Sequence, residues 1–143
     1  MAIKLKPHYT NAHNNAAGHY NLGLALVAEG KNEEAISHYK MAIKIKPDFA
    51  KAYSNLGIIL SAERKIEEAI SHYKMAIKLK PAFAWAHYNL GITLSAEGKI
   101  EEAISHYKMA IKLKPDFALA QKNLETVLRS MEIQDLFWRT WVK

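Results

Sequence analysis

Apolar residues recur along this chain at steps of three and four. In one segment they are Ala103, Ile104, Tyr107, Ala110, Ile111 and Leu113, the spacing of an amphipathic helix. Glu101 and Glu102 stand at its positive end and Lys108, Lys112 and Lys114 towards its negative end, matching the helix dipole. Pro115 closes it, because proline disfavours helical geometry in the residue before it. An earlier segment carrying Ala86, Leu90, Ile92 and Leu94 reads as a first helix ending near Glu97. Gly98 and Lys99 form the turn between them, where glycine permits a left-handed backbone.

This helix pair is repeated. EEAISHYKMAIK begins at Glu33, Glu67 and Glu101, a period of 34 residues, and three full units follow: 16–49, 50–83 and 84–117. The last two differ at only six positions, so the register is unambiguous. Both ends continue the pattern, as a segment of a longer array would. Residues 1–9 repeat the close of a second helix, 10–15 read as an insertion, 118–131 as a capping helix and 132–143 as an aromatic tail. Neither helix of a unit can bury its apolar face alone, so units must stack into an α-solenoid.

The 34-residue period resembles the tetratricopeptide repeat, whose pattern is W-x2-L-G-x2-Y, then A-x3-F, then A and P. Leu22, Gly23, Ala35, Tyr39, Ala42 and Pro47 carry the match in the first unit. Leu56, Gly57, Ala69, Tyr73, Ala76 and Pro81 carry it in the second, and Leu90, Gly91, Ala103, Tyr107, Ala110 and Pro115 in the third. The early aromatic is His19 and His87 in two units and Tyr53 in the other. The later one is Leu26, Leu60 or Leu94. Arg64 replaces the turn glycine of Gly30 and Gly98, and a left-handed backbone there would cost roughly 1–2 kcal/mol. The resemblance implies an all-α, right-handed superhelix of antiparallel helix pairs. Gly23, Gly57 and Gly91 would let the paired helix approach closely, and the first helix of each unit would line a concave groove.

That geometry nominates Tyr20, Asn21, Leu24, Ser54, Asn55, Ile58, Tyr88, Asn89, Ile92 and Asn123 as groove residues. Asparagine recurs once per unit at 21, 55, 89 and 123. Its amide both donates and accepts, so a file of asparagines can hold the backbone of an extended peptide. A similar ladder lines the repeat superhelix of O-linked N-acetylglucosamine transferases. Equally, each asparagine can bond a neighbouring helix or water. Chaperone-binding members of the family clamp a C-terminal carboxylate with cations at these positions. Here those positions hold Tyr20, Leu24, Ser54, Ile58, Tyr88 and Ile92, so that clamp is not expected.

Composition narrows the rest. A formal charge of +6 and a pI near 9.4 raise the question of anionic partners. The lysines cluster at second-helix ends, without the interleaved aromatic platforms of nucleic-acid binders. A solvated basic face follows, with no specific nucleic acid. The absence of cysteine excludes disulfides and thiolate metal sites. No apolar run reaches the length of a membrane span and the first residues lack a secretory core, so the expected location is cytoplasmic.

Seven histidines invite a metal reading. His38, His72 and His106 are one per unit, too far apart to share an ion with ligands about 2 Å away. His8, His13 and His19 show no ligand motif. No nucleophile elbow, phosphate loop or dinucleotide fingerprint occurs. The expectation is a non-catalytic protein- or peptide-binding scaffold with no cofactor and no metal. Two alternatives stand beside it. The apolar residues Leu136, Phe137, Trp138 and Trp141 either fold back on the capping helix or meet another copy, which would make a homo-oligomeric structural unit. The chain would otherwise be the substrate-recognition arm of a larger glycosyltransferase-like enzyme.

Overall fold

The computed structural model describes the backbone of residues 2–142 and the side chains of residues 12–142. Seven helices follow in order: α1 (Ala2–Ala28), α2 (Asn32–Ile45), α3 (Ala50–Ala62), α4 (Ile66–Leu79), α5 (Ala84–Ala96), α6 (Ile100–Leu113) and α7 (Ala118–Trp141). No strand occurs among the described residues. The fold is an all-α helical-repeat solenoid. The chain divides into two compact units, Met1–Pro81 with α1 to α4 and Ala82–Lys143 with α5 to α7.

In each helix pair the two helices are drawn together by the same contact. Gly23 faces the Tyr39 ring so closely that a Cβ there would lie 2.6 Å from a ring carbon. Gly57 stands in the same relation to Tyr73 at 2.6 Å, and Gly91 to Tyr107 at 2.7 Å. Any larger residue would force the helices apart, which is why the position holds glycine despite its cost inside a helix. The three tyrosine rings are fully buried, as are Leu56, Leu90 and Leu94. Each buried leucine contributes roughly 1.5–3 kcal/mol. In the first unit Leu26, Ala35, Tyr39, Leu56 and Ile59 form one cluster, with Tyr20, Ile36 and Ile43 packed against it.

The turns are as specific. Lys31 donates its backbone N–H to Leu26 O at 2.8 Å and Gly30 to Val27 O at 3.0 Å. This pair of bonds closes the helix and requires a left-handed residue after its end. Lys65 with Arg64, and Lys99 with Gly98, repeat it. The φ angles are 77° at Gly30, 78° at Gly98 and 63° at Arg64, so the arginine does carry the strained backbone.

At both chain ends the helices run across the expected repeat boundaries. Helix α1 runs from Ala2 to Ala28, so residues 10–15, the insertion in the repeat alignment, are helical. Helix α7 likewise passes through residue 131 and reaches Trp141, so the aromatic tail does not fold back. Repeat arithmetic sets where a unit should end. Helix ends are set locally, and neither segment contains a glycine turn to stop propagation.

Candidate functional site

Among the nominated residues the structure brings together two separate polar groups, one in each unit. In the first, Asn55 on α3 donates its Nδ2 to the Tyr20 hydroxyl at 3.2 Å and the Tyr39 hydroxyl at 3.5 Å. In the second, Asn123 on α7 donates to the Tyr88 hydroxyl at 3.3 Å and also bonds Tyr107. The pattern follows from the period: a first-helix asparagine reaches the tyrosine 35 positions earlier, on the first helix of the preceding repeat. Thus Asn55 and Asn123 do bond neighbouring helices, and each ties two tyrosines of the previous helix pair.

The tyrosines are fixed from beneath. Tyr20 packs on Phe49 at a centroid distance of 4.9 Å and Tyr88 on Phe117 at 4.9 Å. Burial pushes the Tyr39 hydroxyl above its ordinary value of 10.0, partly offset by the Asn55 bond, with Tyr20 adding to the rise. The Tyr107 hydroxyl is raised by burial in the same way, against the Asn123 bond. Both hydroxyls therefore stay protonated at neutral pH and keep their hydrogen-bonding role.

Around these groups the other nominated residues separate by exposure. Ser54 and Tyr88 are buried, Tyr20, Asn55, Asn89 and Asn123 are half-buried, and Asn21 is exposed. Leu24, Ile58 and Ile92 are all exposed, giving each unit apolar surface on the same helices as the asparagines. The nominated set omitted Trp85, which is exposed yet ordered by its neighbours. Its ring lies 5.8 Å from Tyr88, nearly edge-on, and 4.6 Å from Phe117. The Lys114 ammonium sits 5.6 Å from the Trp85 ring and 5.2 Å from Phe117. A signal was present, because tryptophan replaces Lys51 at one of the six positions where the second and third units differ.

The histidines lie elsewhere, between the helices of a pair. His19 faces His38 and His87 faces His106 through their Nδ1 atoms, while His72 donates its Nδ1–H to Glu68 O at 2.8 Å. His13 is exposed and, with Ala12, Ile45, Lys46, Pro47 and Asp48, borders a cavity of about 230 Å³ in the first unit. Among the described residues no three histidine, aspartate or glutamate side chains are placed to hold a metal ion. None of the helices described is long and apolar enough to cross a membrane.

At the C-terminal end, Leu136, Phe137, Trp138 and Trp141 are exposed on the last turns of α7. Phe137 and Trp141 contact each other at 5.8 Å. Polar residues of the same stretch pair along the helix, Arg139 with Asp135 at 3.0 Å.

Family models match most of the chain, and one of them covers the third repeat unit. The model described as TPR repeat matches residues 23–63 and 59–96, and the one described as Tetratricopeptide repeat matches residues 84–117. The chain belongs to the tetratricopeptide-repeat family.

Solved tetratricopeptide structures share the architecture. The first such domain of Spaghetti (RPAP3), bound to the HSP90 peptide SRMEEVD, is similar with a TM-score of 0.80 and 23% identity over 83% of this chain and 94% of that one. The second domain of human RPAP3, in complex with the HSP70 peptide SGPTIEEVD, gives 0.75 and 26% over 81% and 97%. An O-GlcNAc transferase of Thermobaculum terrenum gives 0.77 and 25%, over 82% of this chain but only 22% of the transferase. No curated protein sequence matches.

Proposed function

We propose that this tetratricopeptide-repeat protein is a non-catalytic scaffold that binds an extended peptide or partner helix along the first helices of its repeats. The observation that carries this reading is the recurrent surface on those helices. In each unit an asparagine amide is held by tyrosine hydroxyls, and exposed Ile58 or Ile92 lies on the same or a neighbouring first helix. With its amide nitrogen committed to tyrosines, an asparagine presents its carbonyl oxygen in a fixed position to a peptide N–H. Holding the acceptor rigid beforehand lowers the entropic cost of binding. The aliphatic neighbours supply contact area that reads no particular sequence.

Peptide recognition in the RPAP3 structures supports the class of ligand. The absence of cations at Tyr20, Leu24, Ser54, Ile58, Tyr88 and Ile92 favours main-chain recognition over capture of a terminal carboxylate. The test is selection from a displayed random-peptide library, followed by affinity measurement on Asn55→Ala/Asn89→Ala. Losing a hydrogen bond at each asparagine should weaken the selected peptides by about fivefold or more, with helicity intact. Unchanged affinity in the double variant would remove the groove from the account.

A second reading rests on the exposed apolar end of α7. Contiguous apolar surface of this kind usually marks an interface. Self-association through Leu136, Phe137, Trp138 and Trp141 would give a solution mass that rises with concentration and becomes constant on deleting residues 135–143. Light scattering distinguishes the two.

A further inference from the structure

One position on the first helices changes its chemistry from repeat to repeat. Counted by the 34-residue period, it is Ala17 on α1, Lys51 on α3, Trp85 on α5 and Leu119 on α7. Trp85 is 45% exposed and stands on a floor of two buried rings, Phe117 at 3% and Tyr88 at 8%. Its ring is tilted against Phe117 at 4.6 Å and meets Tyr88 almost edge-on at 5.8 Å. The first repeat builds a similar floor without the tryptophan. There Tyr20 packs on Phe49 at 4.9 Å, Lys46 lies over the Phe49 ring at 5.1 Å, and Ala17 supplies only a methyl. Phe49 is only half-buried there. The floor therefore forms without an indole above it, and covering Phe117 does not account for Trp85.

An indole held between two rings has lost its rotamer freedom before any ligand arrives, so binding costs it little entropy. Nearly half of its surface faces outward, and tryptophan in such a setting is a side chain that carries binding energy. The Tyr88 hydroxyl also accepts from the Asn123 amide at 3.3 Å. Trp85 thus adjoins the polar group assigned above to the peptide main chain.

Lys114 adds a charge to the same place. Its ammonium is half-buried and lies over the Trp85 ring at 5.6 Å and the Phe117 ring at 5.2 Å. Ring faces attract an ammonium without using up its three N–H donors. The ion pairs among the described residues do not include Lys114, and Asp116 in the same loop forms none with it. A partly desolvated ammonium gains from a carboxylate that a ligand supplies, through a charge-assisted hydrogen bond. The formal charge of +6 draws an anionic ligand towards the chain as a whole.

We infer that Trp85 and Lys114 form a side-chain-reading site, and that its ligand is an acidic peptide segment. That segment carries a large apolar side chain with an aspartate or glutamate one or two residues away. The inference rests on the peptide-binding reading and names what the peptide contains. The apolar side chain lies against the open indole while the carboxylate reaches Lys114, so no free C-terminus is needed. Single-stranded nucleic acid also joins stacking to negative charge, but it stacks successive bases on successive open rings. Beside Lys114 only Trp85 is open, because Tyr88 and Phe117 are buried.

The experiment selects peptides from a displayed random library on the unaltered chain and measures their affinity for variants. Trp85→Lys installs the residue of the second repeat and Trp85→Leu that of α7, side chains the fold already carries at this position. Selected peptides should combine a large apolar residue with a nearby acid, and each Trp85 variant should weaken them about tenfold or more. Lys114→Gln should weaken them about threefold and reduce the salt dependence of binding. Changing the peptide's acid to its amide should cost affinity for the unaltered chain and none for Lys114→Gln. Selected peptides without the acidic and apolar pair, or equal affinity for the Trp85 variants, overturn the inference. So does binding of a mixed-sequence single-stranded oligonucleotide that is tighter than that of the peptides and is lost in Trp85→Lys. Should the Trp85 variants fail to fold, as thermal unfolding would show, the amide exchange in the peptide decides. Asn55→Ala/Asn89→Ala keeps the two readings apart. If it loses the peptides while Trp85→Lys retains them, the groove stands and this site falls; the reverse result keeps this site and removes the asparagine file.

Discussion

Helices α4 and α6 have the same fourteen residues, IEEAISHYKMAIKL, and yet their histidines and tyrosines meet different surroundings. In α4, His72 turns its Nδ1–H to its own helix at Glu68. In α6, the identical His106 reaches across to His87. The cause lies in the facing helix, where Tyr53 and Ser54 of α3 become His87 and Tyr88 of α5. Yet the feature that seats the two helices together, glycine against tyrosine ring, is unchanged to 0.1 Å: 2.6 Å at Gly57 and 2.7 Å at Gly91. Packing in this protein is therefore set by what the repeats share, and polar chemistry by the few positions where they differ.

The shared contact should be the harder to alter. Gly57→Ala and Gly91→Ala each place a methyl inside a buried tyrosine ring and should cost about 1–3 kcal/mol, equally in the two pairs. Denaturant unfolding measures this, and a marked inequality would mean that the pairs are not packed alike. The turns should separate the pairs next. Arg64→Gly relieves the 63° φ and should stabilise by about 1 kcal/mol, while Gly98→Arg should destabilise by a similar amount. If the exchange is neutral, the left-handed turn carries no strain. The smallest effect concerns the tyrosine hydroxyls. Their raised values mean that the folded chain holds those protons after the unfolded chain has released them. Stability should fall as the pH rises above the ordinary tyrosine value of 10.0, and Tyr39→Phe/Tyr107→Phe should flatten that decline. Unfolding curves at rising alkaline pH provide the check.

Much of this was legible in the sequence, for a physical reason. Repetition displays the register directly, and Gly30, Gly98 and the glycine–tyrosine positions act through local geometry that a 34-residue alignment reveals. Arg64 stood out because a single position broke that alignment, and its backbone is indeed left-handed. The fate of the asparagines was not legible. The spacing left Asn55 open to a ligand or to a neighbouring helix, and whether it bonds a neighbour depends on Tyr20, 35 residues away on another helix. The partners of the histidines were hidden for a similar reason. Comparing His38, His72 and His106 between units hid the pairing of His38 with His19 inside one unit. Trp85 does not recur, so repetition gives no sign of it, yet a residue that appears once in three copies is where a repeat protein can specialise. The helical courses of residues 10–15 and 132–141 could not be read from the repeat alignment, because a repeat boundary is a property of ancestry and a helix end is a property of the local chain.

The buried tyrosine beneath each glycine also acts as a mechanical stop. A ring seated against bare backbone lets its helix pair adopt one axial position, since a shift either way meets a Cβ. The register of the two helices is thus decided inside each pair. Duplicating the coding segment therefore copies the stop together with the two helices that it aligns. A sequence in which two copies still differ at only six places is what growth by such self-aligning parts leaves behind.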